Sequence, residues 1–257
     1  MSDYESMYQD YLLEMALEKL HNDAVMRAAA LAQCIYLFVE GDSEEKAFPI
    51  LLTKTGINFE ELGVVIANYN GAGNFLHSLR LMLKTLSHDR PIIATIDNDM
   101  EGQQLIEKYN KLSFKTEKIS IFPIPQEAKV TYKNGYKGGS FEEIFPVDHF
   151  LKCCFSNKIM STTLVDRQSE FKSSFNPEKP WYDQVKYFCV QNCYSNFAYK
   201  KTDLAEQLAI ECTPIPKDIL DLAKLIKEIR KGNPIKNPND IELPKIPGLT
   251  LAESQSS

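Results

Sequence analysis

Hydrophobic and polar positions along the chain alternate between two patterns. Short, nearly continuous apolar runs are separated by longer segments in which apolar residues recur at three- and four-residue steps, so the runs predict strands and the longer segments predict helices. The predicted strands are 34–39, 62–67, 91–96 and 118–124, and the helices between them are 43–55, 74–87 and 101–112. Strands that are apolar on both faces and alternate with helices predict an α/β fold, in which helices cover a mostly parallel sheet of about four strands.

Residues 4–32 precede the first strand and predict one long helix. Neither glycine nor proline interrupts the segment, and its apolar residues form a stripe. The stripe consists of Leu13, Leu17, Leu20, Ala24, Ala28 and Leu31. A stripe of this length predicts an arm that packs against the domain or against a second chain.

The alternation ends after Pro125. The segments predicted after it are a turn-rich loop at 133–140, a short helix at 141–155, an irregular polar stretch at 156–181, and helices at 182–192, 201–212 and 214–232. The last 25 residues contain four prolines and no periodicity, which predicts an extended tail. The predicted organisation is therefore an arm, a sheet core, a helical C-terminal part and a tail, at 1–32, 33–150, 151–232 and 233–257.

Composition and charge narrow the class of protein. The 257 residues are 44% hydrophobic and 25% charged, which is typical of a soluble globular protein. No apolar run reaches the roughly 18 residues of a membrane span and the N-terminus is polar and acidic, so we expect a cytoplasmic protein without a membrane segment. The net charge of −6 does not indicate nucleic-acid binding, although bound metal ions supply positive charge that this count omits.

The six cysteines predict neither a disulfide framework nor a zinc site. The chain is large for a disulfide scaffold and has no secretion signal. Cys189 and Cys193 are spaced like residues on one helix face, but no histidine stands at ligand spacing from them.

Acidic residues stand where two of the predicted strands end. Glu40 follows the strand 34–39, and Asp97 and Asp99 follow the strand 91–96. Ligands of parallel sheets bind beyond the carboxyl ends of the strands, and residues two apart on a strand point to the same side. If these strands are neighbours, the carboxylates converge and repel, and Mg²⁺ or Mn²⁺ held through oxygen ligands would stabilise them. The alternative is that the aspartates are helix caps or loop residues.

The two acidic motifs together resemble a known domain. "VEGDSEE" at 39–45, followed by "DND" at 97–99, is similar to the TOPRIM domain of topoisomerases, primases and the OLD (overcoming lysogenization defect) nucleases. The E-G-x-S-E form of the first motif is closest to the OLD nucleases. The resemblance implies a Rossmann-like TOPRIM fold with a glutamate on its first strand and a D-x-D motif on its third.

Two later stretches extend the resemblance, which covers about residues 33–212. "GGSFEEIFP" at 138–146 resembles an OLD segment in which a serine and a glutamate add metal contacts, and "KKTDLAEQLA" at 200–209 resembles a segment that supplies a lysine. The helical part 151–232 would then complete a nuclease site. The implied ligands of Mg²⁺ or Mn²⁺, with two ions expected, are Glu40, Glu44, Asp97, Asp99, Ser140 and Glu142, and the implied catalytic residues are Glu40 and Lys201.

This set of residues suits phosphodiester hydrolysis. Two ions about 3.5–4 Å apart stabilise the attacking and leaving oxygens and activate a water molecule. A lysine would neutralise charge on the non-bridging phosphate oxygens. The resemblance thus implies a metal-dependent endonuclease, with DNA and RNA both open as substrates.

The chain also departs from OLD proteins, which carry an N-terminal ABC-type ATPase. No G-x-x-x-x-G-K-[ST] motif is present, so the chain resembles a stand-alone nuclease subunit of two-gene anti-phage systems such as PARIS. The implied partners are a nucleic acid and a separate ABC-type ATPase, with a homodimer as a further option. Two alternatives stay open: a TOPRIM-fold regulatory or binding subunit without turnover, and a primase-like nucleotidyl transferase, which the lack of a zinc module disfavours.

Several site residues have simpler interpretations. Glu44 and Glu143 would be solvated acids of a first helical turn, and Ser140 only a helix cap. Lys201 would be a surface lysine, with Lys200 as the next candidate.

Two further segments carry weaker signals. The glycine-rich stretch 69–75 opens a helix and favours a plain turn over a phosphate site. The stretch 128–139 interleaves lysines with tyrosines, which suits a nucleic-acid strand through Lys133 and Lys137, with a solvated loop as the alternative.

Overall fold

The computed structural model describes residues 3–85, 90–112 and 118–236. Its four central strands are β1 (Ile35–Val39), β2 (Val64–Asn68), β3 (Ile92–Asp97) and β4 (Ile119–Ile124). They form one parallel sheet in the order β2-β1-β3-β4. The predicted α/β fold, with a parallel sheet of four strands, is confirmed.

The strand order reverses between β1 and β3. From β1 the chain moves outward to β2 on one side, and then crosses to β3 and β4 on the other. The two inner strands are adjacent and parallel, as predicted, with Leu37 opposite Ile93. At such a reversal the loops beyond the carboxyl ends lead away in opposite directions and leave a crevice, which is where open α/β sheets bind ligands.

Helices cover both faces of the sheet. The helices of this half are α2 (Asp42–Lys54), α3 (Phe59–Leu62), α4 (Phe75–Thr85) and α5 (Met100–Asn110). Helices α4 and α5 cover one face, where Phe75 and Leu105 join a cluster with Phe38 of β1. Helix α2 covers the other face through Phe48 and Leu51. The last two residues of the predicted helix 74–87 lie outside the described residues.

Helix α2 begins earlier than predicted. Gly41 is its N-cap and Asp42 its first residue, one residue before the predicted start at 43. The carboxylate of Glu44, at the third helical position, accepts the Gly41 N–H at 3.0 Å, which is the contact that a glutamate makes to the N-cap backbone in a capping box.

The C-terminal part is helical throughout. Its α-helices are α6 (Val147–Cys154), α7 (Thr162–Val165), α8 (Gln168–Ser174), α9 (Trp181–Gln191), α10 (Lys201–Glu211) and α11 (Lys217–Gly232), and 3-10 turns lie at Phe141–Ile144 and Ser195–Lys200. Helix α10 packs against α2. Its Leu204 and Leu208 belong to the same buried cluster as Leu37 of β1, so this part shares the core of the sheet.

Two expectations for this part are corrected. Residues 156–181 are not irregular, because α7 and α8 lie there and bury Leu164 and Phe171 in the core. Helices this short carry too few apolar residues to show a period. The predicted helix 141–155 is divided at Pro146, which caps α6 and cannot continue the preceding turn.

The predicted loop 133–140 is partly a small antiparallel hairpin. Its strands are β5 (Val130–Thr131) and β6 (Lys137–Gly138). Gly139, next in the chain, pairs with Asn98 just beyond β3, so the hairpin is held against the carboxyl end of the central sheet.

The predicted N-terminal helix is present as α1 (Asp3–Ala32). Its last turns pack through buried Ala29 and Ala30, and Gly63 makes this approach possible because a Cβ there would stand 2.1 Å from the Ala30 carbonyl oxygen. No helix in the described part of the chain is long and apolar enough to cross a membrane. Of the predicted tail 233–257, residues 237–257 lie outside the described residues.

Candidate metal centre

Glu40 and Asp97 meet at the crevice between β1 and β3. The Asp97 N–H donates to Glu40 Oε2 at 3.3 Å, and Asp97 Oδ1 accepts the Phe141 N–H at 3.2 Å. The hydroxyl of Tyr69 donates to the Thr95 carbonyl at 2.8 Å and stands 3.4 Å from Glu40 Oε2. The expectation that these two strand ends bring their carboxylates within reach of each other is confirmed.

Glu44 and Glu142 line the same crevice from two other elements. Glu44 lies in the first turn of α2 and is 7% exposed, which excludes its interpretation as a solvated acid. Glu142 lies in the 3-10 turn and is 2% exposed. Its Oε2 accepts the Ser140 hydroxyl at 2.9 Å, whereas its buried Oε1 accepts no hydrogen bond within the described part of the chain.

Glu143 is not the solvated acid that its position in a first turn suggested. It is 2% exposed and accepts the N–H groups of Ser140 at 2.7 Å and Trp181 at 2.8 Å. The Ser140 hydroxyl also lies 2.8 Å from Glu143 Oε2, so Ser140 caps the turn and at the same time contacts Glu142. Glu143 therefore fixes the turn that carries Glu142 against the start of α9.

Asp99 occupies a different position from the one expected. Strand β3 ends at Asp97, and Asp99 is the N-cap of α5, where its Oδ1 accepts the Gly102 N–H at 2.7 Å. The expectation that both aspartates project from one strand is thus wrong, because the chain turns into the helix between them. Burial is the main cause of the raised pKa of Glu40, and the charge of Asp99 lies close enough to raise that pKa further.

Asn98, between the two aspartates, was not among the candidates from sequence. It is 9% exposed, donates to the Pro125 carbonyl at 2.9 Å and accepts from Gln103 at 2.7 Å. Its own carbonyl accepts the Gly139 N–H at 2.9 Å. Asn98 therefore ties β4, α5 and the hairpin to the segment that carries Asp97 and Asp99, and only the three-dimensional contacts reveal this role.

Lys201 faces the acidic cluster, whereas Lys200 does not. Lys201 is the first residue of α10; its Nζ lies 3.5 Å from Glu142 Oε1 and 5.4 Å from the centre of the Tyr182 ring. Lys200 instead forms an ion pair with Asp203 at 2.9 Å on the surface. The geometry favours Lys201 as the candidate lysine of this site.

The charges of the cluster are visible in the pKa values of its members. Burial, followed by the charges of Glu44 and Glu40, raises the pKa of Asp97 well above its usual value. Burial, and then the charge of Glu142 among others, raises the pKa of Glu44 to about 7. Glu142 is in turn the main cause of a raised pKa for Lys201. The cluster is therefore an excess of buried negative charge that a bound cation would stabilise.

The donor set fits a hard divalent cation. The side chains facing the crevice offer carboxylate oxygens, which Mg²⁺ and Mn²⁺ prefer, and the buried Glu142 Oε1 accepts no hydrogen bond but faces the Lys201 ammonium at 3.5 Å. Within residues 3–85, 90–112 and 118–236, no three His, Cys, Asp or Glu side chains stand close enough together to form a metal site from protein ligands alone. Mg²⁺ commonly binds through one or two carboxylates and keeps several water ligands.

Two other predicted segments lie beside the cluster. Lys133 and Lys137 are exposed on the hairpin. The glycine-rich stretch 69–75 forms a turn, in which Asn70 and Gly71 adopt positive φ and the Gly71 N–H donates to the Glu40 carbonyl at 2.7 Å.

Comparisons with known proteins agree with this architecture. Residues 32–99 match the family "Overcoming lysogenization defect protein-like, TOPRIM domain". No curated protein matches the sequence significantly.

Solved structures of OLD proteins have a similar fold. The C-terminal region of the Xanthomonas campestris pv. campestris OLD protein is 13% identical, with a TM-score of 0.50 over 78% of this chain and 95% of that one. The C-terminal region of the Burkholderia pseudomallei OLD protein is 14% identical, with a TM-score of 0.47 over 77% of this chain and 98% of that one. At these identities the likeness concerns the fold alone. The segment that matches the OLD-like TOPRIM domain, residues 32–99, carries Glu40, Glu44, Asp97 and Asp99.

Proposed function

We propose that this protein is a divalent-metal-dependent endonuclease. The observation that carries the proposal is the convergence of Glu40, Asp97, Glu44 and Glu142, with Lys201 opposite, at the strand reversal of a TOPRIM domain. Buried carboxylates that repel one another are costly unless a cation or a proton neutralises them. A carboxylate site of this kind, at the carboxyl ends of the two inner strands of a parallel sheet, suits the hydrolysis of a charged phosphodiester.

Most residues of the site would hold the cation. A bound Mg²⁺ or Mn²⁺ supplies a Lewis acid for the phosphate oxygens and lowers the pKa of water. Glu40 and Asp97 would hold it at the strand ends, with Asp99 beside them and with Glu44, Glu142 and the Ser140 hydroxyl on the opposite side.

Glu40 and Lys201 would act on the reaction itself. The water oxygen attacks phosphorus, the bond from phosphorus to the leaving oxygen breaks, the water proton passes to Glu40, and the leaving oxygen takes up a proton from solvent. Burial raises the pKa of Glu40, which brings this carboxylate closer to the range of an effective base. The Lys201 ammonium neutralises the charge that grows on the non-bridging oxygens in the transition state.

We further propose that the protein is an anti-phage effector held by a separate ABC-type ATPase chain through α1. Leu13, Leu17 and Leu20 are 59%, 56% and 65% exposed on this helix. An isolated helix gains little stability in water, so a partner surface is expected to cover it. Residues 8–28 carry more acidic than basic side chains, which disfavours a second copy of the same arm and favours a cleft with basic edges.

The nuclease proposal is tested with purified protein, plasmid DNA, single-stranded DNA and tRNA. We expect cleavage of at least one substrate with Mg²⁺ or Mn²⁺, and none with EDTA. Asp97→Asn, which preserves shape and can still accept the Phe141 N–H, should be inactive. Wild-type protein that cuts no substrate with either metal, with and without the ATPase chain, would favour the binding-subunit alternative.

A further inference from the structure

The β5–β6 hairpin ends in a tight turn of defined geometry. The Tyr132 N–H donates to the Tyr136 carbonyl at 2.8 Å, and the Gly135 N–H donates to the Tyr132 carbonyl at 2.9 Å. Gly135 has φ +82°, so the loop 133–135 is a three-residue hairpin turn with glycine at its left-handed position. This turn places Lys133 at the tip and the two tyrosines side by side below it.

The hairpin is fixed to the acidic site by backbone contacts. Gly138 lies so close to β3 that a Cβ would stand 1.9 Å from the Asn98 carbonyl oxygen, and Gly139 donates to the same oxygen. At the tip, the Asn134 amide lies 3.2 Å from the sulfur of Met100, the first residue of α5. The hairpin therefore lies beside the metal centre, and its contacts with Asn98 and Met100 fix its position relative to the D-x-D motif.

Two aromatic rings form the side of the hairpin. The ring centres of Tyr132 and Tyr136 are 6.0 Å apart, and both side chains are partly exposed. Neither phenol hydroxyl forms a hydrogen bond in the described part of the chain. The rings stand on the hairpin whose Gly138 and Gly139 pack against Asn98, the middle residue of the D-x-D motif. The mouth of the site thus carries two partly exposed rings, of which Tyr132 also packs against the hydrophobic core.

Positive charge surrounds this aromatic surface. Lys129, Lys133 and Lys137 are exposed along the hairpin, while the crevice itself is lined by acids. Lysines on this hairpin, next to a negatively charged centre, are placed to hold a polyanion beside the point where metal ions would bind. The combination of rings and cations is the one used by proteins that bind single-stranded nucleic acid.

We propose that the hairpin 129–138 is a platform for an unpaired strand of nucleic acid at the metal centre. Tyr136 stacks on an exposed base, and Lys133 and Lys137 contact the flanking phosphates. The face of a base is available for stacking only where it is unpaired, so the platform selects a single strand, a loop or a frayed end over a continuous duplex. This proposal rests on the proposed nuclease function and specifies its substrate class.

The test measures binding apart from cleavage. Fluorescence anisotropy with Ca²⁺ in place of Mg²⁺ would compare single-stranded DNA, single-stranded RNA of the same sequence, and duplex DNA. Tyr136→Leu should weaken binding of the single strands about 10- to 100-fold, because stacking contributes about 1–3 kcal/mol per base, while Tyr136→Phe retains the ring and most of the affinity. Tyr187→Leu, at a 65% exposed tyrosine of α9, is the matched control and should bind as wild type does. The DNA and RNA arms then identify which strand the platform holds.

A second pair of variants does not depend on the ring. Lys133→Gln and Lys137→Gln should each reduce the slope of log affinity against log salt by about 0.7, as expected for the loss of one phosphate contact on a single strand. Thermal unfolding of each variant checks that the hairpin change leaves the fold intact.

The outcomes separate the platform from the nuclease proposal. Single-strand binding that is unchanged in Tyr136→Leu and in both lysine variants overturns the platform, even if wild-type protein cleaves nucleic acid with Mg²⁺. Equal wild-type affinity for duplex and single strands also overturns it. Weakened single-strand binding in these variants, in a protein that cleaves nothing, supports the platform and contradicts the nuclease proposal.

Discussion

The metal centre and helix α1 break the ordinary pattern of burial in opposite directions. At the metal centre, acids lie inside the protein, with Glu142 2% and Glu44 7% exposed. On α1, large apolar side chains lie outside, with Leu13 59% and Leu20 65% exposed. Acids are rarely buried without a partner, and long apolar stripes are rarely left in water. We therefore propose that a cation completes the metal centre and that a second protein chain covers α1.

The two regions differ in how firmly the fold holds them. The acids are fixed by β1, β3, α2 and the turn Phe141–Ile144, so removing one changes a site whose other members stay in place. Helix α1 is attached to the core only through its last turns, by Ala29, Ala30 and the Arg27–Glu60 ion pair at 3.3 Å. We expect changes at the centre to affect both chemistry and folding stability, and changes on α1 to affect association alone.

The largest effect is expected from Asp97→Asn. The cleavage rate should fall by at least about 10³-fold, because a ligand at the centre of the carboxylate cluster is lost. The free energy of unfolding in EDTA at pH 8 should rise, because the variant removes a buried charge that its neighbours repel. Single-turnover cleavage and urea unfolding measure the two quantities. A variant that still cleaves with Mg²⁺ would rule out this cluster as the active site.

The second-largest effect is expected at Lys201, and its neighbour Lys200 should show almost none. Lys201→Ala should lower the single-turnover rate about 10²- to 10³-fold with little change in metal affinity, since its ammonium acts on transition-state charge. Lys200→Ala is the matched control, and because its partner Asp203 lies on the surface, we expect a change of no more than about twofold. Calorimetry of metal binding and single-turnover kinetics measure these changes. Equal rates for Lys201→Ala and wild type would remove the lysine from the mechanism.

The sequence predicted the parts of the site that depend on short-range pattern. The apolar runs gave the parallel strands, and the acids that follow two of them gave the meeting point of Glu40 and Asp97. Neighbouring parallel strands end at one edge of the sheet, so this convergence followed once the strands were known. The roles of Glu44, Ser140, Glu142 and Lys201 came from motif resemblance and stay predictions.

The features of the site that the sequence did not predict depend mostly on contacts between segments far apart in the chain. Asn98 owes its place to Pro125 and Gly139, and Glu143 owes its burial to the Trp181 N–H. Local pattern describes Glu143 as a first-turn acid, because it cannot include a donor that folding brings from 38 residues away. Asp99 escaped for a local reason, since a two-residue spacing does not tell whether the strand has already ended.

On α1, a single substitution should affect binding and leave the fold unchanged. Leu17→Glu should weaken association with the ATPase chain about 10- to 100-fold, the equivalent of one buried leucine side chain at about 1.5–3 kcal/mol. The thermal midpoint should stay close to that of wild type, because this position is exposed in the isolated chain. Leu17→Met, which keeps the apolar area, is the control. Co-purification and light scattering follow the association, and unchanged complex formation by Leu17→Glu would contradict docking through this stripe.

The smallest expected effect is the pH dependence of folding stability in the absence of metal. The pKa of Glu44 rises on folding from its usual value near 4.5 to about 7, chiefly by burial, so the folded protein binds a proton that the unfolded chain has released. Stability must then fall as pH increases through this range, by about 2 kcal/mol between pH 5.5 and pH 8 for this group. Urea unfolding in EDTA at pH 5.5 and pH 8 measures the fall, and Glu44→Gln should reduce it. Excess Mg²⁺ should restore stability at pH 8 by binding only the folded state, whereas Leu17→Glu should show the wild-type pH dependence. If stability in EDTA instead rises over this range, the acids of the centre are not under mutual repulsion, and the contrast with α1 loses its physical basis.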